Sequence, residues 1–329
     1  MTEPRVLTIV LNYKTAQMTL KAADAARVAM HGLLGEIVIV DNDSQDGSFA
    51  EITAYVAANG WTNTRMIQSG HNGGFGAGNN VGIRAGMSDG TKPDYVYILN
   101  SDAFPKPNAI RVLYDHLNTT PDTGFAGSFI MGEDDIQHTT TFRFPSILGE
   151  FEGAVRFGPV SKLLKSYRVP RTLTATAQVD WLAGASVMIR QSILDEIGLF
   201  DEVFFLYFEE TDLCRRAQKA GCRVMFLADS VVVHLGSVST GMKKWTRVPD
   251  YWFASRWHYL TKNHGRIYAA CATASHLIGG GLYWLRCKLT GKHYGGAPHF
   301  LRTMAVHDFA ALFKSQHELP AKVRPQIGE

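Results

Sequence analysis

The sequence predicts an α/β fold: a mostly parallel sheet flanked by helices, followed by a helical C-terminal extension. Three observations predict it. Short apolar runs rich in Val and Ile alternate with helical segments through the first hundred residues, the pattern of parallel strands covered on both faces. Two apolar stretches, Tyr97-Ile98-Leu99-Asn100-Ser101-Asp102 and the aromatic run Phe204-Phe205-Leu206-Tyr207-Phe208 leading into Glu209-Glu210-Thr211-Asp212, end in carboxylates. A strand that ends on an acid delivers it to the crevice where α/β sheets bind ligands. Finally, 329 residues at 46% hydrophobic and 19% charged suffice to bury a sizeable core and are too apolar for a disordered chain.

Element by element, residues 6–11 read as a buried strand and 16–31 as a helix. Residues 37–40 form a second strand, stopped by the turn-forming Asp41-Asn42-Asp43-Ser44-Gln45-Asp46-Gly47-Ser48. A helix over 49–59 ends at Gly60, a third strand begins at Met66-Ile67, and a glycine-rich loop precedes a helix over 79–87. Residues 95–99 are the next buried strand. From 132 to 178 no period is clear, and a stretch that long without elements is expected to cover or line a site. Order returns at 179–189. A helix over 213–220 stops at Gly221, strands follow at 224–227 and 230–233, and a boundary is expected near 238–245, beyond which the chain is helical.

A net charge of +3 without a long basic run excludes nucleic acid as the natural partner. Cys214, Cys222, Cys271 and Cys287 have no C-x-x-C spacing, so reduced thiols are expected rather than a disulfide frame or a zinc site. Residues 1–5 lack the charged-then-apolar form of a secretory leader, and a cytoplasmic location is expected.

Several residues carry candidate chemistry. Asp41, at a strand end, reads either as an acceptor for a nucleoside base or ribose, or as the start of a turn. The stretch Asn72-Gly73-Gly74-Phe75-Gly76-Ala77-Gly78-Asn79-Asn80 fails the dinucleotide fingerprint, because Asn79 stands where its last small residue belongs. Two readings remain: glycines that let amides approach an anion while Asn79 and Asn80 open a helix, or a flexible turn. Asp102 is the best metal candidate, since Mg²⁺ or Mn²⁺ is often held by one or two carboxylates plus substrate phosphates. Asn100 can add an amide oxygen, and His234, ending an apolar strand, can complete a Mn²⁺ site. Of the acid cluster, Glu210 and Glu209 are the candidate general bases; on an extended segment they point to opposite sides. Asp212 reads as a helix-start residue.

The order and spacing of these groups resemble glycosyltransferase family 2, in its rhamnosyltransferase-like branch. The shared elements are Leu11-Asn12-Tyr13, Asp41-Asn42-x-Ser44-x-Asp46, Asn72-x-Gly74-Phe75-Gly76-x-Gly78-Asn79-Asn80, Asn100-x-Asp102, Trp181-x-x-Gly184, Gly198-x-Phe200-Asp201-Glu202, Glu209-x-x-Asp212-Leu213-Cys214-x-Arg216 and His234-x-Gly236. The resemblance spans about residues 6–264, and Phe142-Arg143-Phe144-Pro145-Ser146 resembles an element of that branch. It implies a GT-A fold in residues 1–245, with a nucleotide-sugar-binding half (1–102) and an acceptor-binding half (103–245), and a helical region at 246–329. It implies inverting transfer from a nucleoside diphosphate sugar, with dTDP-rhamnose the candidate donor, to a glycan or lipid-linked acceptor in polysaccharide synthesis, assisted by Mn²⁺ or Mg²⁺. By the same resemblance Asn12, Tyr13, Asp41, Asn79, Asn80, Asn100 and Ser101 serve the donor, Trp181, Gly184 and Arg143 the acceptor, Asp102 and His234 the metal, and Glu210 the base. Two positions depart from the pattern: Asn100 replaces an aspartate of the D-x-D-like motif, and Glu210 replaces the aspartate of a Glu-Asp pair. The rival readings are a sugar nucleotidyltransferase, whose basic phosphate-gripping loop is missing here, and a non-catalytic sugar-nucleotide-binding protein.

Residues 250–263 read as a helix. Residues 267–285 are nearly as long and apolar as a membrane span, but His276 and Gly279-Gly280-Gly281 argue for an interfacial helix or a packed helix pair. Arg286, Lys288, Lys292 and His293 then suit peripheral contact with the inner face of the plasma membrane.

Overall fold

The computed structural model describes residues 3–236 and 246–314; the boundary expected at 238–245 lies outside the described residues. In chain order the elements are β1 (Arg5–Asn12), α1 (Ala16–Ala29), β2 (Leu34–Asp41), α2 (Ser48–Ala58), β3 (Thr64–Gln68), α3 (Gly74–Ala85), β4 (Tyr95–Asn100), β5 (Ala103–Pro105), α4 (Ala109–Thr119), β6 (Thr123–Met131), β7 (Thr141–Phe142), α5 (Ile147–Val155), α6 (Gly158–Leu163), β8 (Pro170–Arg171), β9 (Ala177–Gln178), β10 (Trp181–Leu182), β11 (Ser186–Arg190), α7 (Gln191–Ile197), α8 (Glu209–Lys219), β12 (Arg223–His234), α9 (Asp250–His264), α10 (Arg266–Thr290) and α11 (Phe300–Phe313).

The chain divides into two compact units, and neither is contiguous. The first takes Met1–Phe142, Arg171–Glu202 and Glu209–Lys243; the second takes Arg143–Pro170, Val203–Phe208 and Lys244–Glu329. Of these inserted segments, Phe204 joins the core of the second unit, and Ile147 and Phe208 pack against it.

The first unit is built on the sheet β3-β2-β1-β4-β11-β6-β12-β5. β1, β2, β3 and β4 run parallel, with Asn12 opposite Asp41 and Leu11 opposite Asn100. β11 enters antiparallel to both β4 and β6, and at the far edge β5 and β9 pair antiparallel with β12, so the sheet is mostly parallel with a reversed strand inside it and two at its edge. A chain of buried hydroxyls ties this reversed strand to its neighbours: Tyr97 to Ser186 at 2.8 Å, Ser186 to Ser128 at 2.7 Å, Ser128 to Ser230 at 2.7 Å, and Ser230 donating to the Ala109 carbonyl at 2.9 Å. Each hydroxyl is satisfied by the next, which is the condition for burying them. The two strands expected at 224–227 and 230–233 are one strand, β12, whose register slips between Leu227 and Val231. The core beneath the sheet contains Val6, Val10, Ile37, Ile39, Tyr97 and Leu113.

The glycine-rich stretch is neither an anion loop nor a flexible turn. It is the first half of α3, which begins at Gly74 rather than at Asn79. Its glycines let the helix lie against β1: a Cβ on Gly78 would sit 2.5 Å from Leu11, and one on Gly82 would sit 2.8 Å from Ile9. Close packing overrides the poor helix propensity of glycine.

In the second unit Phe204, Trp257, Tyr259, Leu260, Ala269 and Ala272 form a core. The region 147–163, without a readable period, contains α5 and α6, and Ser146 caps α5 by accepting from the Gly149 N–H at 3.1 Å. The helix pair expected around Gly279-Gly280-Gly281 is one continuous 25-residue helix, α10. Its glycines admit neighbours: a Cβ on Gly279 would lie 2.9 Å from the Phe151 carbonyl oxygen in α5, and one on Gly280 would lie 2.6 Å from Leu301 in α11. Arg256 on α9 is 1% exposed and bonds Glu150 and Asp308 at 3.0 Å each, tying α5 and α11 to α9. His276 adds a 2.7 Å contact to Glu150, whose carboxyl is drawn down to about 2, against the cost of burial, by Arg256 and His276.

Candidate active site

The parallel register places Asn12, Asp41 and Asn100 side by side at the carboxyl edge of β1, β2 and β4. The first two are spent largely on each other. Asn12 is fully buried; its Nδ2 donates to Asp41 Oδ1 at 2.7 Å and to Ser44 Oγ at 3.2 Å, while its Oδ1 accepts from Thr19 at 2.7 Å. Asp41 also accepts from Ser44 Oγ at 2.5 Å and from the Ser44 N–H at 3.2 Å. It thus starts a turn, and its remaining acceptor capacity is a lone pair of Oδ2. Tyr13 follows, part-exposed, with the Lys14 ammonium 5.4 Å from its ring centroid. Asn42 fixes the next loop, donating to Asn72 Oδ1 at 2.9 Å and to the Gly74 carbonyl at 3.2 Å.

Asn79 and Asn80 lie inside α3, fully buried, rather than at its opening. Asn79 donates back to the Phe75 carbonyl at 2.9 Å, and its Oδ1 has no hydrogen-bond partner among the described residues. Asn80 clamps the segment before the acid cluster: it donates to the Phe200 carbonyl at 2.8 Å and to Glu202 at 2.9 Å, and accepts from the Phe200 N–H at 3.1 Å.

The three metal candidates meet. β12 pairs antiparallel with β5, setting His234 opposite Ala103, the residue after Asp102. His234 Nε2 lies 3.0 Å from Asp102 Oδ1 and 3.4 Å from Asn100 Nδ2. Both paired side chains are shielded, at 16% and 7% exposure. Ser101, buried beside them, accepts from Thr15 at 3.3 Å. A carboxylate, an imidazole and an amide oxygen are a donor set that fits Mn²⁺, and Mg²⁺ less closely because of the imidazole. Among the described residues no group of three or more His, Cys, Asp and Glu could hold a metal ion. The His138 ring stands 6.3 Å from that of His234.

The acid cluster opens α8, which starts at Glu209. The extended geometry that would have turned Glu209 and Glu210 to opposite sides is absent: both lie in a first helical turn, about 100° apart around the axis. Tyr207 and Phe208, just before them, both have φ of 70°, an uncommon pair of left-handed residues. Glu209 is 2% exposed, while Glu210 is part-exposed with its Oε2 buried. Neither Oε2 has a hydrogen-bond partner among the described residues. Burial pushes Glu210 up to about 7, against a backbone hydrogen bond from Gly184. Burial, and then the charge of Glu210, push Glu209 well above the ordinary carboxylate range. Asp212 is more than a helix-start residue: it is wholly buried and bonds Arg216 at 2.9 Å, and Arg216 donates to the carbonyls of Ile197 and Leu199.

Trp181 on β10 stacks on Phe142 of the paired β7, with centroids 4.0 Å apart and planes 14° from parallel. Gly184 faces the Phe75 ring, which a Cβ would approach to 2.9 Å. Arg143 belongs to the second unit, where its N–H donates to Val169 and its guanidinium to Arg168. Sequence reasoning gave no role to Phe142 as the partner of Trp181, to Thr19 behind Asn12 or to Glu202 behind Asn80. Phe142 and Glu202 are defined by contacts with residues distant in sequence, and Thr19 by its return to Asn12 across the turn between β1 and α1, so only the aromatic and polar types were visible.

Residues 7–198 match the Glycosyl transferase family 2 profile. The chain is 30% identical over 215 residues to the N-acetylglucosaminyl-diphospho-decaprenol L-rhamnosyltransferase of Mycobacterium tuberculosis, covering 62% of this chain and 68% of that one. It is 27% identical over 197 residues to the low-salt glycan biosynthesis hexosyltransferase Agl10 of Haloferax volcanii, covering 58% and 56%. It is 25% identical over 165 residues to the rhamnosyltransferase WbbL of Escherichia coli, covering 49% and 60%. In fold it is similar to the mannosyltransferase PcManGT of Pyrobaculum calidifontis, solved with GDP-Man and Mn²⁺, with a TM-score of 0.51 at 15% identity over 94% of this chain and 86% of that one. It is also similar to GalNAc-T7, solved with UDP, GalNAc and Mn²⁺, with a TM-score of 0.54 at 13% identity over 93% and 55%.

Proposed function

Since the chain belongs to glycosyl transferase family 2, and is thus a glycosyltransferase, we propose that it works by inversion with a divalent cation. Its donor would be a nucleoside diphosphate sugar, with dTDP-rhamnose the first candidate, and its acceptor a glycan or lipid-linked saccharide. It would act in the cytoplasm, at the inner face of the plasma membrane. The observation that carries this reading is the convergence of Asp102, His234 and Asn100 at the strand edge that also presents Asp41. The names of the relatives, two of them rhamnosyltransferases, support the choice of sugar.

In this reading Asp102 and His234 hold Mn²⁺ or Mg²⁺, with Asn100 contributing its amide oxygen. The cation, when bound, neutralises charge on the departing diphosphate. Tyr13 and the remaining acceptor capacity of Asp41 address the nucleoside, while Asn12 and Ser44 hold Asp41 in place. Asn79, Asn80 and Ser101 shape the donor side. Trp181, stacked on Phe142, offers an aromatic face to a sugar beside Gly184, and Arg143 addresses the acceptor. Glu210 takes the proton of the acceptor hydroxyl. The new bond forms between that oxygen and the anomeric carbon as the bond to the diphosphate breaks. A carboxylate titrating near 7 is a suitable base at neutral pH, because it is substantially ionised and still holds a proton well.

The test is to incubate the protein with a panel of nucleoside diphosphate sugars, with and without acceptor and Mn²⁺, and to follow diphosphate release and the anomeric configuration of the product. Release that needs acceptor and metal and gives an inverted linkage is expected. Pyrophosphate turnover would indicate a nucleotidyltransferase instead, and tight binding without release a non-catalytic binder.

A further inference from the structure

α10 is apolar on two opposite faces, and among the described residues only one of them is covered. The covered face carries Ala269, Ala272, Thr273, Gly279, Gly280 and Cys287, buried within the second unit. On the other side Ile267, Cys271, Ala274, Ile278, Leu282, Leu285 and Leu289 follow one another at steps of three or four residues. At 100° per residue they fall within about 80° of the helix circumference. All of them are exposed: Ile267 to 82%, Ile278 to 60% and Leu289 to 77%. The stripe contains no charged side chain and runs the length of a 25-residue helix, about 37 Å at 1.5 Å per residue. α11 repeats the arrangement on a smaller scale, with Val306, Phe309 and Phe313 exposed to 64%, 69% and 72%. An exposed apolar surface of this extent marks an interaction site.

Charge identifies the occupant. Residues 251–314 contain eight Lys and Arg and one acid. That acid, Asp308, is buried against Arg256, so the surface presented by this region is cationic. Lys288, Lys292 and Arg302 are exposed. Lys288 lies 5.2 Å from the ring centroid of Trp284, which is itself 48% exposed. An apolar stripe flanked by Trp and Lys suits the boundary between headgroups and acyl chains, and a basic surface suits anionic lipid. A second copy of the same stripe would bring like charges together. No helix among the described residues is long and apolar enough to cross a membrane, so the helix would lie along the surface.

We propose that the open face of α10, from Ile267 to Leu289, is a docking surface for an anionic lipid bilayer, entered by the apolar stripe and held by Lys288 and Lys292. This goes beyond the catalytic reading, and either can fail without the other. The full-length chain would be sedimented with phosphatidylcholine vesicles and with vesicles containing 30 mol% phosphatidylglycerol (~30%, enough for a strong surface charge). Binding to the second, weakened by salt, is expected. The double variant Ile278→Asp, Leu289→Asp should bind at least about tenfold more weakly, and Lys288→Gln with Lys292→Gln should lose the salt dependence. Both variants should keep the circular dichroism and thermal transition of the parent, since the altered side chains are exposed. Cys271 is an exposed free thiol on the stripe; an environment-sensitive dye placed there, in a Cys222→Ser background, should shift to the blue with anionic vesicles. No binding at low salt, or unchanged binding by the Ile278→Asp, Leu289→Asp variant, would overturn the proposal. So would a dimer in light scattering that this variant dissociates without any lipid affinity having been present, which would make the stripe a seam between copies.

Discussion

Replacing Glu210 with glutamine should sharply lower turnover and at the same time stabilise the first unit above neutral pH. The Glu210 carboxyl is pushed from 4.5 up to about 7, chiefly by burial. The sign follows from linkage. The unfolded carboxyl ionises near 4.5 and the folded one only near 7, so the fold favours the neutral form. That contribution is fully present below 4.5 and is lost as pH rises through 7. The gap corresponds to ~3 kcal/mol at ~1.4 kcal/mol per pH unit, an upper figure because part of the residue meets solvent. Glutamine keeps the neutral shape at every pH. Variant and parent should therefore unfold alike near pH 4.5, and the variant should be the more stable by up to ~3 kcal/mol at pH 8. Turnover should fall by roughly 10²–10⁴-fold, the usual worth of a general base. The parent's own kcat/KM should decline about tenfold per pH unit below 7, as the base protonates. Diphosphate release across pH 5–9, with urea midpoints at pH 5 and pH 8, measures both effects. A variant that turns over normally, or one less stable than the parent at pH 8, would refute the reasoning. The second result would mean that the carboxylate is stabilised by a partner rather than strained by burial.

Three other outcomes are expected. Glu209→Gln should retain turnover and the same acid limb, because burial and the charge of Glu210 favour the neutral form of Glu209, which the amide resembles; a collapse of activity in this variant alone would move the base by one residue. Asp102→Ala should remove the Mn²⁺-dependent part of nucleoside diphosphate binding in a thermal-shift titration, and Mn²⁺-dependent binding that survives would dismiss Asp102 as a metal ligand. Arg256→Ala leaves Glu150 and Asp308 buried without their cation and should destabilise the second unit by about 3–5 kcal/mol, measured as a lower denaturation midpoint; an unchanged midpoint would show that water reaches the pair.

The pair Tyr207 and Phe208 shows how the sequence can display a cluster of acids without the backbone that carries it. The acids after them were visible as a cluster, and an apolar aromatic run before acids looks extended. In the structure two consecutive left-handed residues break the run, and the helix begins on the first acid. The left-handed conformation of a non-glycine residue is imposed by packing and has no sequence signature. α3 is the converse case. Its glycines looked like a phosphate loop because propensity places glycine in loops, yet their purpose is the approach of a helix to Leu11 and Ile9. Nothing local distinguishes a glycine kept for its backbone freedom from one kept for its lack of a side chain.

By itself the sequence determined the strand-helix alternation of the first hundred residues, the strand-end positions of Asn12, Asp41 and Asn100, and the types of group available for metal and base. These follow from local periodicity and from the parallel sheet, which aligns the carboxyl ends of its strands. Only the tertiary structure decided that His234 meets Asp102, that Asn12 and Asp41 satisfy each other, that 143–170 joins the C-terminal helices, and that one apolar face of α10 is covered while the other is open. Each of these is a contact between residues far apart in the chain, set by strand register and helix packing. A single sequence records the chemistry of each partner and not the distance between them.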